Sequence, residues 1–258
     1  MMTIKTAEEI ELMRISGRIL GSILGELGRT TKAGMTTLEI NDKAEALMAE
    51  HKVQSSFKGY HGFPAVICSA VNSEVVHGIP TNYVLKDGDI VTIDCGVIYK
   101  KFHSDSAITV LIGNVEESKK AFVYATQKAL EKALTVLKPG ARVGDIGFAV
   151  QQYIEKRGYS IVRDYVGHGI GRSMHEDPQI PNFGQRGKGP LLTPGMAIAI
   201  EPITIMGERF TETLPDDWTV VSRDGTSACQ IEHTIAITPT GYEVLTARDG
   251  NINNVFPQ

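Results

Sequence analysis

The chain has 258 residues, 42% hydrophobic and 22% charged, the balance of a globular protein with length enough for one large core or two modest ones. Its 26 basic and 30 acidic residues leave a net charge of −4 without any basic or acidic block. No face is therefore prepared for nucleic acid, and no apolar run reaches membrane-spanning length.

The N-terminal residues MMTIKTAEEIELMRI are acidic and amphipathic and lack the basic start and apolar core of a signal peptide. Thr6 followed by Glu9 is a capping box that opens a long helix. Lys32-Ala-Gly34 breaks it, and Thr36 with Glu39 opens a second helix. Strands are predicted over 65–71, 90–98 and 104–112. A third helix over 116–137 ends at Lys138-Pro-Gly140. A fourth over 143–157 ends near Gly158 and aligns Ile146, Ala149, Val150, Tyr153 and Ile154 on one face. Further strands are predicted over 160–166, 197–205, 218–222 and 229–238. Three cysteines, Cys68, Cys95 and Cys229, have no CxxC spacing and cannot all pair, which fits a reducing cytoplasm.

This order of elements is stated twice. LKDGDIVTID (85–94) is echoed by LTPGMAIAIE (192–201), and TKAGMTTLEI (31–40) by LKPGARVGDI (137–146). His77-Gly-Ile-Pro80 precedes the first of these strands and His175-Glu-Asp-Pro178 the second. Downstream, Asp105-Ser-Ala-Ile-Thr-Val is matched with Glu232-His-Thr-Ile-Ala-Ile. Single matches of this kind arise by chance, but four in the same order at nearly constant spacing indicate an internal repeat. The expectation is one α+β domain over 1–258, built from pseudo-twofold halves of about 1–112 and 113–258, with helices on one face of a curved, mostly antiparallel sheet.

Asp94 ends the run Ile-Val-Thr-Ile, and Glu201 ends Ala-Ile-Ala-Ile. Alone, either carboxylate is equally a strand cap at the solvent edge. Duplication favours another reading, because equivalent strand ends converge, pairing Asp94 with Glu201 and Asp105 with Glu232. Four such carboxylates cannot all ionise together without cations. Two divalent metals, roughly 3.5–4 Å apart in sites of this kind, would neutralise them. His168, within Gly167-His-Gly-Ile-Gly171, is alone more often a loop residue, but beside four carboxylates it is the expected fifth ligand, its glycines allowing close backbone approach. The oxygen-rich set suits Mn, Fe(II), Co or Zn rather than a structural zinc site.

The stretches HGIP (77–80), DGDIVTID (87–94), GHGIG (167–171), MHEDPQIP (174–181), GMAIAIEP (195–202) and QIEHT (230–234) together resemble type I methionine aminopeptidase, of the pita-bread fold, over essentially the whole chain. The resemblance implies that Asp94 chelates one metal, that His168 and Glu201 bind the other, and that Asp105 and Glu232 bridge the two. It also implies removal of the N-terminal methionine from nascent polypeptides whose second residue is small, by a water or hydroxide activated between two divalent ions, with Glu201 moving the proton. His175 would stabilise the developing oxyanion, and His77 would sit near the amide nitrogen; otherwise each is a buried histidine held by backbone hydrogen bonds.

By the same resemblance a methionine pocket is expected from Tyr60, Phe63, Cys68, Met174 and Trp218, with Phe57 beside them, although Phe57 and Met174 depart from the family's commonest residues. His103, His233 and His51 are assigned no role, and His61 lines the pocket without ligating. A monomer is expected, with transient ribosome association, no direct nucleic-acid contact and no membrane. Three rival readings differ in features the sequence displays. A prolidase or proline aminopeptidase resembles chains with an added N-terminal domain. A type II enzyme carries a helical insertion for which 175–201 is too short. A non-enzymatic relative would have lost ligands, and all five are present.

Overall fold

The computed structural model describes residues 2–138 and 140–248. Among the described residues there are four α-helices, α1 (Ala7–Thr30), α2 (Thr37–Glu50), α3 (Glu117–Thr135) and α4 (Val143–Glu155). The first-half strands are β1 (Gln54–Ser55), β2 (Ile67–Val71), β3 (Glu74–Val76), β4 (Ile90–Tyr99) and β5 (Phe102–Leu111). The second half contributes β6 (Ser160–Ile161), β7 (Gly167–Gly169), β8 (Glu176–Ile180), β9 (Ala197–Ile200), β10 (Ile203–Ile205), β11 (Thr211–Thr213), β12 (Val220–Ser222), β13 (Ala228–Gln230), β14 (His233–Thr238) and β15 (Gly241–Val244).

The predicted caps close two of the helices. The Thr6 backbone donates to Glu9 Oε2 at 2.9 Å, and that of Thr36 to Glu39 Oε2 at 2.7 Å, each with the reciprocal bond to the threonine hydroxyl. At α4 the repeat keeps only the acid half, where the Arg142 backbone donates to Asp145 Oδ2 at 2.8 Å. A helix whose first turn is satisfied locally is free to commit its apolar face to the sheet. Leu20, Leu24 and Leu27 of α1 pack with Val91, Ile93, Val97, Ile108 and Val110. In the second half, Phe122, Leu130 and Leu134 of α3 and Ile146 and Val150 of α4 pack with Ile198, Ile200, Ile235 and Ile237.

Every strand pair among the described residues is antiparallel, with the ladders falling into four groups. The two largest meet along a seam. Along it β5 runs antiparallel to 230–234: the Glu232 backbone donates to Ala107 O at 3.0 Å, that of Asp105 to Thr234 Oγ1 at 2.9 Å, and Thr109 Oγ1 to Gln230 O at 2.9 Å. Arg248, 1% exposed, lies against the same point, donating through Nη2 to Ser106 Oγ, Ala107 O and Glu232 O at 2.8, 3.0 and 3.2 Å.

The repeat is carried by hydrogen bonds as well as letters. The Leu85 backbone donates to Met35 O and that of Leu192 to Ala141 O, both at 2.8 Å; Gly88 donates to Ile112 O and Gly195 to Ile237 O at 2.8 and 2.9 Å. Strand register then fixes the equivalences. Ile93 pairs with Ile108 as Ile200 pairs with His233, so Asp94 corresponds to Glu201, but Ala107 corresponds to Glu232 and Asp105 to Gln230. The expected equivalence of Asp105 with Glu232 is therefore two residues out. The spacing of 107 residues between His61 and His168 suggests that these two are equivalent, but Thr92 pairs with Ala70 as Ala199 pairs with His168, so the counterpart of His168 is Ala70. Continued along the chain, that alignment matches His77 with His175.

Strand limits also differ from expectation. Asp94 lies within β4 and Asp105 within β5, not at strand ends, because flanking ladders hold both strands through these positions. The predicted strand 197–205 breaks at Glu201–Pro202, since proline cannot donate to a ladder. The strand 229–238 breaks at Ile231–Glu232, where the backbone turns to the seam. Predicted strand 160–166 ends at Ile161, and the glycine-flanked His168 is itself on a strand, β7.

Arg248→Met should leave three acceptors at the seam short of a donor and cost on the order of 3 kcal/mol in urea denaturation. A loss below about 0.5 kcal/mol would deny Arg248 that role.

A carboxylate and histidine centre under an apolar cavity

Strand parity decides which side chains face the helices and which face the opposite side. On β4, Val91, Ile93, Cys95 and Val97 belong to the core beneath α1 and α2, which leaves Asp94 on the other face. Along β5, Ile108 and Val110 face the helices and Asp105 does not. In the second half Ile198 and Ile200 pack under α3 and α4, so Glu201 follows on the far side, and Ile235 and Ile237 do the same for Glu232. One alternation in each strand thus sends four carboxylates to a common face.

These acids and His168 line a single cavity of about 440 Å³. Asp105, His168 and Glu232 each present a ligand atom within 4.8 Å of the others. His168 Nε2 lies 3.7 Å from Asp105 Oδ2 and 3.9 Å from Glu201 Oε1. Its Nδ1 meets Gly169 O at 2.8 Å, and because a carbonyl can only accept, the proton sits on Nδ1 and the Nε2 lone pair faces the acids. Both flanking glycines are required by close approach: a Cβ on Gly167 would collide with Ala199 O, and one on Gly169 with Asp177 O.

The acids are buried without adequate counter-charge. Burial, followed by neighbouring carboxylates, raises Asp94 and Glu232 far above the ordinary carboxylate range. Burial likewise raises Asp105 to about 7 and Glu201 to about 8. Asp94 Oδ1, Asp105 Oδ1 and Glu232 Oε1 have no hydrogen-bond partner among the described residues. Orphaned anionic oxygens around an imidazole lone pair are the donor set of a divalent ion, and the residues fit such a group.

Above the acids, Tyr60 OH lies 2.8 Å from His175 Nδ1, and the His175 ring is 4.3 Å from that of His168, centroid to centroid. Burial, with the nearby histidines, brings His175 down to about 4, so it is neutral at neutral pH. Burial also lowers His77, which stands in the left-handed region at φ 59° with its ring edge-on to Tyr165 at 5.4 Å and to Trp218 at 6.3 Å. The remaining wall is apolar: Phe63 meets Trp218 edge-on at 5.1 Å, and Phe57, Cys68 and Met174 share their cluster. All three cysteines are free thiols.

Every residue expected from sequence at the site therefore lines this cavity, Phe57 and His61 included. His103 turns to Ser56 Oγ at 3.0 Å and His233 to Thr246 Oγ1 at 2.8 Å, away from it. Sequence reasoning overlooked Tyr165, Asp164, Gln179 and Gln230, which also line it. Gln230 carried a signal, standing two residues before Glu232 and so on the same strand face.

The family model for metallopeptidase family M24 matches residues 11–239. The methionine aminopeptidase of Clostridium perfringens is 47% identical over 246 residues, 95% of this chain and 99% of that one. Methionine aminopeptidase 1 of Bacillus subtilis has the same identity and coverage. Among solved structures, the methionine aminopeptidase of Rickettsia prowazekii superposes with a TM-score of 0.94 at 39% identity, covering 95% of this chain and all of that one.

Raised carboxylates have a measurable consequence. Folded, metal-free protein holds protons on Asp105 to about pH 7 and on Glu201 to about pH 8, while the unfolded chain releases them near 4. The folded state binds more protons across that window, so its stability falls as pH rises through it. The thermal midpoint of chelator-treated protein should be higher at pH 5 than at pH 8, and Mn(II) should restore more at pH 8. A midpoint that climbs from pH 5 to pH 8 without metal would contradict the buried-acid assignment.

Proposed function

The chain belongs to metallopeptidase family M24 and has its pita-bread fold, and on that footing we propose that it is a methionyl aminopeptidase removing the first methionine from chains with a small second residue. One observation carries this reading: a cluster of four carboxylates and a histidine lines a cavity whose apolar wall includes Phe63, Trp218, Met174 and Cys68. Such a wall suits an unbranched, sulfur-bearing side chain and places a terminal residue against the acids.

Two divalent ions would be held there, Asp94 serving one, His168 and Glu201 the other, with Asp105 and Glu232 shared. When bound they supply an acidified water and polarise the scissile carbonyl. The chain's own residues do the rest. Glu201, buried in the wall beside the place the ions would take, is the carboxylate positioned to accept a proton and return it to the leaving amine. If Tyr60 donates to Nδ1 of neutral His175, the remaining ring proton sits on Nε2, ready for the carbonyl oxygen as it turns negative. His77, held between Tyr165 and Trp218, borders the amide nitrogen and crowds the next residue, which favours a small one. Substrates would be nascent chains met in the cytoplasm through transient ribosome encounters, by a monomer. Among the described residues no helix is long and apolar enough to cross a membrane.

Metal-loaded protein should cleave Met-Ala and Met-Gly peptides and leave Met-Lys largely intact, as read by released methionine. Preference for Xaa-Pro peptides without methionine would favour a prolidase instead. Asp105→Ala should lose both ions and nearly all turnover while its circular dichroism stays that of the parent; full activity would remove the bridging role. His175→Ala should lower kcat by about 10²–10³ with metal content unchanged, and a kcat within twofold of the parent would exclude it from transition-state stabilisation.

A further inference from the structure

Gln230 is 2% exposed and stands where the second half repeats Asp105. Its Nε2 lies 3.2 Å from Glu201 Oε2 and 3.4 Å from Glu232 Oε2. Among the described residues its Oε1 has no partner. The main-chain carbonyl of the same residue is tied to the seam by Thr109 Oγ1 at 2.9 Å. The side chain is therefore anchored from below and aims its only donor group into the acids.

We propose that Gln230 is a positioning residue of the metal centre, whose amide holds the Glu201 and Glu232 carboxylates so that their remaining lone pairs converge on the ions. A carboxylate at this place would repel both glutamates, and a hydrocarbon would leave them to rotate. The amide does neither. It also fixes the charge balance: four carboxylates match two divalent ions, and an acid repeated faithfully from Asp105 would have made five. Glu201 is the proposed proton carrier, so its orientation bears on turnover as well as on metal affinity. Methionine recognition is the proposed work of Phe63, Cys68, Met174 and Trp218, while the amide of Gln230 meets Glu201 and Glu232.

The proposal rests on the metal-centre reading above, and the test separates the two. Metal-free parent, Gln230→Met and Gln230→Glu are titrated with Mn(II) by calorimetry, and kcat and KM are then measured on a Met-Ala peptide. Methionine preserves length and removes the donor; glutamate preserves shape and substitutes a fifth acid. In each variant we expect Mn(II) affinity or kcat to fall about 10–100-fold, with KM within threefold and parent-like circular dichroism. Variants that bind Mn(II) and turn over within threefold of the parent would overturn the role, and Gln230→Glu decides alone if Gln230→Met does not fold. A parent that takes up no Mn(II) would instead overturn the metal centre itself, and the role of Gln230 with it.

Discussion

Everything at the site depends on one short seam, where β5 lies antiparallel to residues 230–234. Each half builds its own main ladder and packs its own helices, and β3 pairs with β12 across the halves, but neither half alone assembles the acids. The seam brings Asp105 beside Glu232, and Asp94 and Glu201 line the same cavity with them. Arg248 is its buried fastening, a cation whose Nη2 is engaged by seam oxygens rather than by the carboxylates, and whose own ionisation burial lowers to about 9. Its Nη1 meets His233 Nε2 at 3.3 Å, and its charge reaches Glu232 without offsetting the burial that raises that acid.

The histidines above the acids share a different logic. Burial disfavours their charged forms, and His175 stays neutral at neutral pH, where it can donate without competing with metal for the acids. His77 is held in a backbone region that side-chain-bearing residues rarely adopt, a cost of order 1–3 kcal/mol that persists where the surroundings over-determine it. Here the surroundings are Tyr165 and Trp218.

Much of this was legible in the residues. Capping boxes, glycine breaks and the echo of LKDGDIVTID in LTPGMAIAIE disclosed two similar halves, and alternation disclosed that their acids leave the core. What sequence could not supply was register. Asp105 and Glu232 look equivalent because each is an acid opening an Ile- and Val-rich run, yet ladders count residues, and they set Glu232 against Ala107. The breaks at Glu201–Pro202 and Ile231–Glu232 were hidden because hydrophobic alternation continues through them. The strand at His168 was hidden for the opposite reason: glycines read as loop until Ala199 and Asp177 carbonyls occupy the space their side chains would need. Gln230 passed unnoticed because an amide inside a motif of acids carries no charge to attract notice.

The mismatch of Ala107 with Glu232 reaches further than register. These two positions meet each other at the pseudo-twofold axis, so in a symmetric pair of identical halves each would face its own copy. Two copies of the first half would present Asp94 and Asp105 twice and, with Ala70 where the second half has His168, no imidazole at that place. Two copies of the second would set a pair of long glutamates head to head on the axis and repeat His168 on both sides. Neither symmetric pair reproduces this centre. Its chemical polarity, a His168 on one side only, is available because the two halves differ within one polypeptide.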